Sequence, residues 1–170
     1  MRSGAPVRIR PERPQDHAAI RAVTVAAFEH SAYGHHGEAD IVEALRAADA
    51  LTVSLVAEAD GEIIGHVAFS PVQITEAEGG WYGLGPISVA PVWQRRGVGQ
   101  ALVRDGLREI DALGAAGCVL LGDPAYYGRF GFESDPALRY GPEASPYLQR
   151  LILHGAAPRG EVRFHAAFDV

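Results

Sequence analysis

The sequence has few of the features that mark secreted, membrane or disulfide-stabilised proteins. Its 170 residues include a single cysteine, Cys118, so no intrachain disulfide can form. No apolar run approaches the roughly 18 residues that a membrane-spanning helix needs. The stretch Met1–Pro6 is not followed by the apolar core of a signal peptide. We therefore expect a soluble cytoplasmic protein without a membrane partner, and we expect Cys118, which lies in an apolar run, to be buried rather than reactive.

Several motifs that are diagnostic of particular ligands or reactions are also missing. The chain contains neither the Walker phosphate loop nor the Gly-x-Ser-x-Gly nucleophile elbow of serine hydrolases. Its net charge of −6 disfavours nucleic acid as the main ligand. The adjacent residues His35 and His36 precede Glu38, but no second group of ligand-type side chains completes a metal site, so we expect no metal. The length predicts one domain over residues 1–170.

The most informative segment that is present is a basic turn with two glycines, Gln94–Gln100. It follows an apolar, strand-like run and opens a helical pattern over Ala101–Leu113. The first turn of a helix has N–H groups without intrahelical partners, and the helix dipole adds partial positive charge there. Gly97 and Gly99 let an anion approach this backbone closely, and two neighbouring arginines add full charges. The turn therefore predicts a phosphorylated ligand.

The form of the turn resembles the acetyl-CoA pyrophosphate motif of the GNAT superfamily of N-acetyltransferases, Gln/Arg-x-x-Gly-x-Gly/Ala. Gln94, Gly97 and Gly99 fill its three defined positions. Downstream, Gly122–Phe132 resembles the segment Gly-Asp-Pro-x-Tyr-Tyr-x-Arg-Phe-Gly-Phe of one branch of predicted N-acetyltransferases. The resemblance implies direct acetyl transfer from acetyl-CoA to a primary amine of a small molecule or protein. The alternative is a catalytically silent CoA-binding sensor or interaction module.

The patterns and the resemblance together imply an α/β (α+β) fold of the GNAT type. We expect a central mixed, mostly antiparallel sheet of six to seven strands, flanked by about four helices and splayed between strands 4 and 5. The predicted strands are Val7–Arg10, Leu51–Glu58, Glu62–Val72, Trp81–Val89 and Cys118–Gly122, with Leu151–His154 and Val162–Phe168 as a closing strand pair. Asp60-Gly61 predicts a hairpin turn between the second and third of these strands. The predicted helices follow Asp16, which we expect to cap the first of them, span Gly37–Ala48 and Ala101–Leu113, and begin at Pro124.

The resemblance also implies which residues contact the co-substrate. The backbone N–H groups at the helix start would hold the pyrophosphate, with Arg95 and Arg96 assisting electrostatically. Strand 4 would run along the pantetheine arm, and the segment after strand 5 would line the same site. The complete expected set is Ile87, Ser88, Val89, Gln94, Arg95, Arg96, Gly97, Val98, Gly99, Gln100, Pro124, Tyr127, Arg129 and Phe130.

Two catalytic roles follow from the same resemblance. Tyr127 aligns with a tyrosine that is suited to protonating the departing thiolate, and the Val89 N–H is the expected oxyanion donor. Tyr126 is the adjacent alternative, although we expect it on a different helix face. The general base stays open, because strand 4 contains no carboxylate or histidine; His66, Glu38 and a water chain are the candidates.

Three further expectations complete the sequence-based picture. Asp123 would cap the helix that Pro124 begins. The resemblance places the amine site between the first two helices and the loops near the last strands, where no segment carries a recognisable acceptor signature. It also makes a homodimer possible.

Overall fold

The computed structural model describes residues 6–29 and 37–169, which form one mixed sheet with helices on both faces. The elements in chain order are β1 (Arg8–Pro11), α1 (His17–Phe28), α2 (Glu38–Ala47), β2 (Val53–Ala59), β3 (Glu62–Glu76), β4 (Trp81–Val89), α3 (Val98–Ala112), β5 (Gly117–Leu121), α4 (Pro124–Tyr127), β6 (Glu133–Ser134), β7 (Leu138–Arg139), β8 (Leu148–Ile152) and β9 (Arg159–Arg163). The predicted fold class is confirmed. In the described part of the chain the strand count rises to nine, because β6 and β7 have two residues each, too few for a sequence pattern.

The sheet follows the order β1-β2-β3-β4-β5-β8-β6, and only the β4–β5 contact along this path is parallel. That contact covers just Trp81–Gly83 against Gly117–Val119. Beyond Gly83, β4 continues to Val89 without β5 as a hydrogen-bonding neighbour. The pairing of β4 with β3 is also irregular, since Gly85 and Pro86 together oppose a single β3 residue. The predicted splay and irregularity are therefore both present.

Apolar side chains at helical spacing fix the layers on the two faces of the sheet. On one face, Leu102 and Ile110 of α3 are fully buried in a core that also contains Phe69 of β3. On the other face, Ile20 of α1 packs with α2 and β2. Cys118 is buried as predicted, and burial raises the pKa of its thiol. Because α3 packs along β3 and β4, its N-terminus lies at the carboxyl end of β4.

Two helix caps were predicted, and the structure confirms one in full. The Asp123 carboxylate accepts a hydrogen bond from the Ala125 N–H at 2.9 Å, and Pro124 occupies the first helical position. Asp16 does precede α1, but its carboxylate makes no cap bond to that helix. It instead binds the buried guanidinium of Arg10 at 2.8 and 3.1 Å, which holds the pKa of the Asp16 carboxyl below its usual value. This ion pair joins β1 to the start of α1.

The predicted closing strand pair is wrong. The strands β8 and β9 do not pair with each other: β8 pairs with β5 and β6, whereas β9 pairs with β3 and β7. An apolar pattern indicates a strand but not its partner, and here β5 and β3 each offered a separate edge that needed hydrogen bonds. None of the helices in the described ranges is long and apolar enough to cross a bilayer.

Candidate active site

The helix start that the sequence singled out forms an open backbone cradle. Gly97 precedes α3 in the left-handed region, with φ +84°, and its carbonyl accepts the Ala101 N–H at 3.0 Å. Because intrahelical bonding begins at Ala101, the N–H groups of Val98, Gly99 and Gln100 lack intrahelical acceptors. A Cβ atom placed on Gly97 would meet nothing within 4 Å. The cradle therefore has donors, a positive helix end and room for an anion.

A cavity of about 420 Å³ opens over this cradle. Two arginines border it from different elements: Arg95 from the turn itself, with φ +65°, and Arg129 from the segment after α4. The side-chain amide of Gln94 donates to the Val89 carbonyl at 3.0 Å, so this residue ties the turn to the end of β4. The full lining is Val89, Trp93, Gln94, Arg95, Gly97, Gly99, Gln100, Tyr126 and Arg129.

The end of β4 turns unpaired backbone toward the gap beside β5. The Ala90 N–H donates to the Ile64 carbonyl at 2.8 Å, and Val89 stands opposite Gly65 in the ladder. Hydrogen-bonded and non-hydrogen-bonded pairs alternate in antiparallel strands, so the Val89 N–H points away from β3. The contact with β5 has already ended at Gly83, so this N–H faces the gap. That orientation is the one an oxyanion donor requires.

A second cavity of about 280 Å³ lies in the gap and continues the first. The two cavities share four lining residues: Val89, Gln94, Gly99 and Tyr126. Ile87, Ser88 and Tyr127 complete one side, and Ala27 and Phe28 at the end of α1 cover the other. The Ser88 hydroxyl lies 3.2 Å from that of Thr24 in α1. A long ligand could therefore reach from the cradle to Tyr127 in one extended conformation.

Tyr127 is held rigidly at the inner end of this channel. Its ring packs directly on Gly122, where an added Cβ would come within 2.7 Å of the ring, and it meets Phe132 edge-on with 6.0 Å between ring centroids. Burial raises the pKa of the Tyr127 phenol to about 12. No described residue hydrogen-bonds its hydroxyl. The side chain is therefore a protonated donor at neutral pH that borders the gap.

Tyr126, which we expected on a different helix face from Tyr127, also borders the channel. It lines both cavities, and its hydroxyl is 3.2 Å from where a Cβ on Gly99 would sit. The helix α4 has only four residues and ends at the cavity wall, so consecutive side chains can border the same space. The two consecutive tyrosines could have indicated that both border the site. The expectation of different helix faces applies to a helix longer than these four residues.

Four residues of the expected co-substrate set line neither cavity. The Arg96 guanidinium stacks on the Trp93 ring at 5.3 Å, and Phe130 lies under Arg104 at 4.9 Å. The side chain of Val98 is buried in the core, which leaves only its backbone facing the cradle. Pro124 begins α4. The sequence also missed Trp93, Ala27 and Phe28, which carry no motif of their own.

The candidates for a general base do not meet in this channel. His66 is fully buried and lines neither cavity; burial lowers its pKa to about 4, so its imidazole is neutral at neutral pH. Its Nε2 lies 2.8 Å from the Ser54 hydroxyl. Glu38 begins α2 and also lines neither cavity, whereas His35 and His36 lie outside the described residues. No carboxylate or imidazole of the described chain borders the channel.

Comparisons with known proteins converge on one family. Residues 51–134 match the family described as Acetyltransferase (GNAT) domain. The chain is 38% identical over 170 residues to the uncharacterized N-acetyltransferase YhbS of Escherichia coli K12, covering 95% of this chain and 98% of that one.

Two solved structures share nearly the whole fold. A GNAT family acetyltransferase from Brucella melitensis, in complex with acetyl-CoA, is 53% identical with a TM-score of 0.85, over 97% of this chain and 99% of that one. The crystal structure of Escherichia coli YhbS in complex with CoA is 35% identical with a TM-score of 0.88, over 98% and 94%.

Proposed function

The chain belongs to the GNAT family of acetyltransferases, and from this premise we propose that it transfers the acetyl group of acetyl-CoA directly to a primary amine of a small molecule or protein. One observation carries the proposal: the anion cradle at Gly97 and the splayed gap at Val89 form one continuous channel. The reaction needs both a binding site for the phosphates of acetyl-CoA and a cavity that holds its thioester. Similar proteins that bind acetyl-CoA and CoA support the identity of the donor.

The donor would be held mainly by backbone. The N–H groups of Val98, Gly99 and Gln100 are suited to the diphosphate, since they lie at a positive helix end and lack intrahelical acceptors. The exposed edge of β4 from Ile87 to Val89 offers peptide groups to the pantetheine amides. Arg95 adds a cation at the mouth of the cradle. This arrangement would direct the thioester toward Tyr127.

Two groups of this chain would then act on the reacting atoms. The Val89 N–H donates a hydrogen bond to the thioester carbonyl oxygen as negative charge develops on it. Tyr127 donates its phenolic proton to the sulfur as the carbon–sulfur bond breaks. The burial that raises the pKa of the Tyr127 phenol also raises the pKa of a CoA thiol in the gap. Because both pKa values rise, the proton can still pass from the phenol to the departing thiolate.

The amine must attack as the free base. Because no carboxylate or imidazole of the described chain borders the channel, we assign its proton to water at the mouth of the channel. His66 and Glu38, the two side chains that the sequence suggested as general bases, lie outside the channel.

The test is acetyl transfer measured against a panel of primary amines, with released CoA thiol and acetylated product both quantified. Tyr127→Phe should lower kcat by about 100-fold or more, the usual contribution of a positioned acid, while acetyl-CoA still binds. Tyr126→Phe is the matched comparison and should cost less than about tenfold in kcat. An equal or larger loss in Tyr126→Phe would reassign the acid.

The same assay separates an enzyme from a silent CoA-binding module. The proposal requires one acetylated amine for each thiol released, whereas the module predicts binding without product. All 15 residues counted as lysine or arginine are arginine. Acetyl-lysine detection on protein acceptors therefore carries no background from lysines of the chain itself.

A further inference from the structure

Arg129 is fixed beside the anion cradle in an orientation that leaves its charge available. Its Nε donates to the Tyr126 carbonyl at 2.9 Å, and its guanidinium carbon lies 4.5 Å from the centroid of the Tyr126 ring. The two terminal amino groups therefore point away from these anchors as a free fork. Among the described residues no carboxylate forms an ion pair with Arg129.

The unpaired state of this arginine is notable in a chain with net charge −6. Acidic partners are abundant in the molecule, and Arg10, Arg46 and Arg150 each bind one or more of them. Within residues 6–29 and 37–169, the contacts that support Arg129 are instead one hydrogen bond and one aromatic ring, on the wall of the cavity of about 420 Å³. A preorganised, unpaired guanidinium on a cavity wall is a site for an anion.

The charges of the proposed donor indicate which anion this is. CoA carries a diphosphate and, on its ribose, a separate 3′-phosphate monoester with about −1.5 to −2 charge at neutral pH. The backbone N–H groups of the α3 start and Arg95 are suited to the diphosphate, but a helix end supplies only about half a unit charge. Arginine binds a phosphate monoester strongly through paired N–H donors, and Arg129 is the cavity-lining arginine outside the turn.

We propose that Arg129 binds the 3′-phosphate of CoA and gives the protein its preference for CoA over 3′-dephospho-CoA, an inference that rests on the proposed function. The fork geometry favours this role, because two parallel N–H donors match two phosphate oxygens. Arg96 and Arg104 are worse placed, since neither of them lines either cavity.

The test is calorimetric titration of CoA and of 3′-dephospho-CoA into the wild-type protein and Arg129→Gln, at one fixed ionic strength. We expect the wild type to bind CoA at least about tenfold more tightly than dephospho-CoA, the effect of one charge-assisted contact. Arg129→Gln should lose this preference by weakening CoA alone. Arg104→Gln removes a similar guanidinium–aromatic contact outside the cavity and should keep the wild-type ratio.

The alternatives give different patterns in the same titrations. If Arg129→Gln weakens both ligands equally, Arg129 contacts the diphosphate and the proposal is overturned. If the wild type binds both ligands equally, the proposal is overturned while the proposed acetyl-CoA site survives. Failure of the folded wild type to bind either ligand would instead remove the proposed function itself. Arg129 is exposed and on the surface, so its substitution leaves the core intact.

Discussion

Replacing Gly97 by alanine should weaken acetyl-CoA binding at the anion cradle more than it lowers the stability of the fold. Gly97 has φ +84°, and a Cβ there would meet no protein atom within 4 Å. The protein therefore gains no clash, and its only penalty is the left-handed backbone, about 1–2 kcal/mol for an L-residue. For a chain of this size that corresponds to a fall in Tm of about 2 to 8 °C.

The loss of binding should be larger than this loss of stability. The new methyl group would occupy the open space beside the Val98 and Gly99 N–H groups. Losing one or two charge-assisted hydrogen bonds there is worth about 2–3 kcal/mol. That energy corresponds to a rise of about 30- to 150-fold in the Kd for acetyl-CoA.

The same helix supplies a matched control at its other end. Gly114 follows α3 with φ +85°, and a Cβ there would also meet nothing within 4 Å. Gly114→Ala should therefore reproduce the fall in Tm without changing the Kd. Thermal unfolding and calorimetric titration of both variants measure the two quantities. If Gly97→Ala binds acetyl-CoA as tightly as Gly114→Ala does, the phosphate does not lie at this backbone and the reasoning fails.

Two further predictions concern the core that supports the site. Gly106→Ala would bring a Cβ within 2.1 Å of the buried Phe69 ring. It should therefore lower the free energy of unfolding, measured by urea denaturation, by about 1–3 kcal/mol. This loss should be smaller in a Phe69→Leu background, and an unchanged loss would refute the contact with Phe69 as its cause. The pKa of His66 is lowered to about 4 by burial, so its contribution to stability is complete above its ordinary pKa of 6.5 and is lost as the pH falls toward 4. This loss amounts to about 3 kcal/mol. His66→Gln should therefore show a weaker decrease in unfolding free energy between pH 7.5 and 4.5 than the wild type, and equal decreases would contradict this assignment.

The strands and helices that the sequence predicted well are those with strong local patterns. The hairpin turn at Asp60 and Gly61 has the positive φ values, +52° and +77°, that its residues favour. The spacing of Leu102, Gly106 and Ile110 along α3 matches its buried face. Such elements are specified by neighbours a few residues apart, so a pattern in the chain is enough to find them.

Strand partners depended on longer-range information. The strand β8 has three apolar residues, Leu148, Leu151 and Ile152, and β9 has only Val162, so their sequences do not specify the sheet edges with which they pair. Tyr126 shows the same limit within the site, because its position depends on α4 ending after four residues. The helix start at Gly97 was predictable from the motif, and the Val89 N–H was expected from the family resemblance alone, whereas the anchoring of Arg129 by Tyr126 depended on tertiary contacts.

Calorimetric titration of acetyl-CoA into the purified protein is the decisive measurement, because the cradle at Gly97 and the proposed reaction both require this ligand. Desulfo-CoA and NAD serve as comparisons, because desulfo-CoA keeps both the diphosphate and the 3′-phosphate of CoA, whereas NAD shares only the adenosine diphosphate portion. We expect micromolar binding of acetyl-CoA and desulfo-CoA without binding of NAD. Folded protein that binds neither CoA species would contradict the assignment of the cradle at Gly97 and the function built on it.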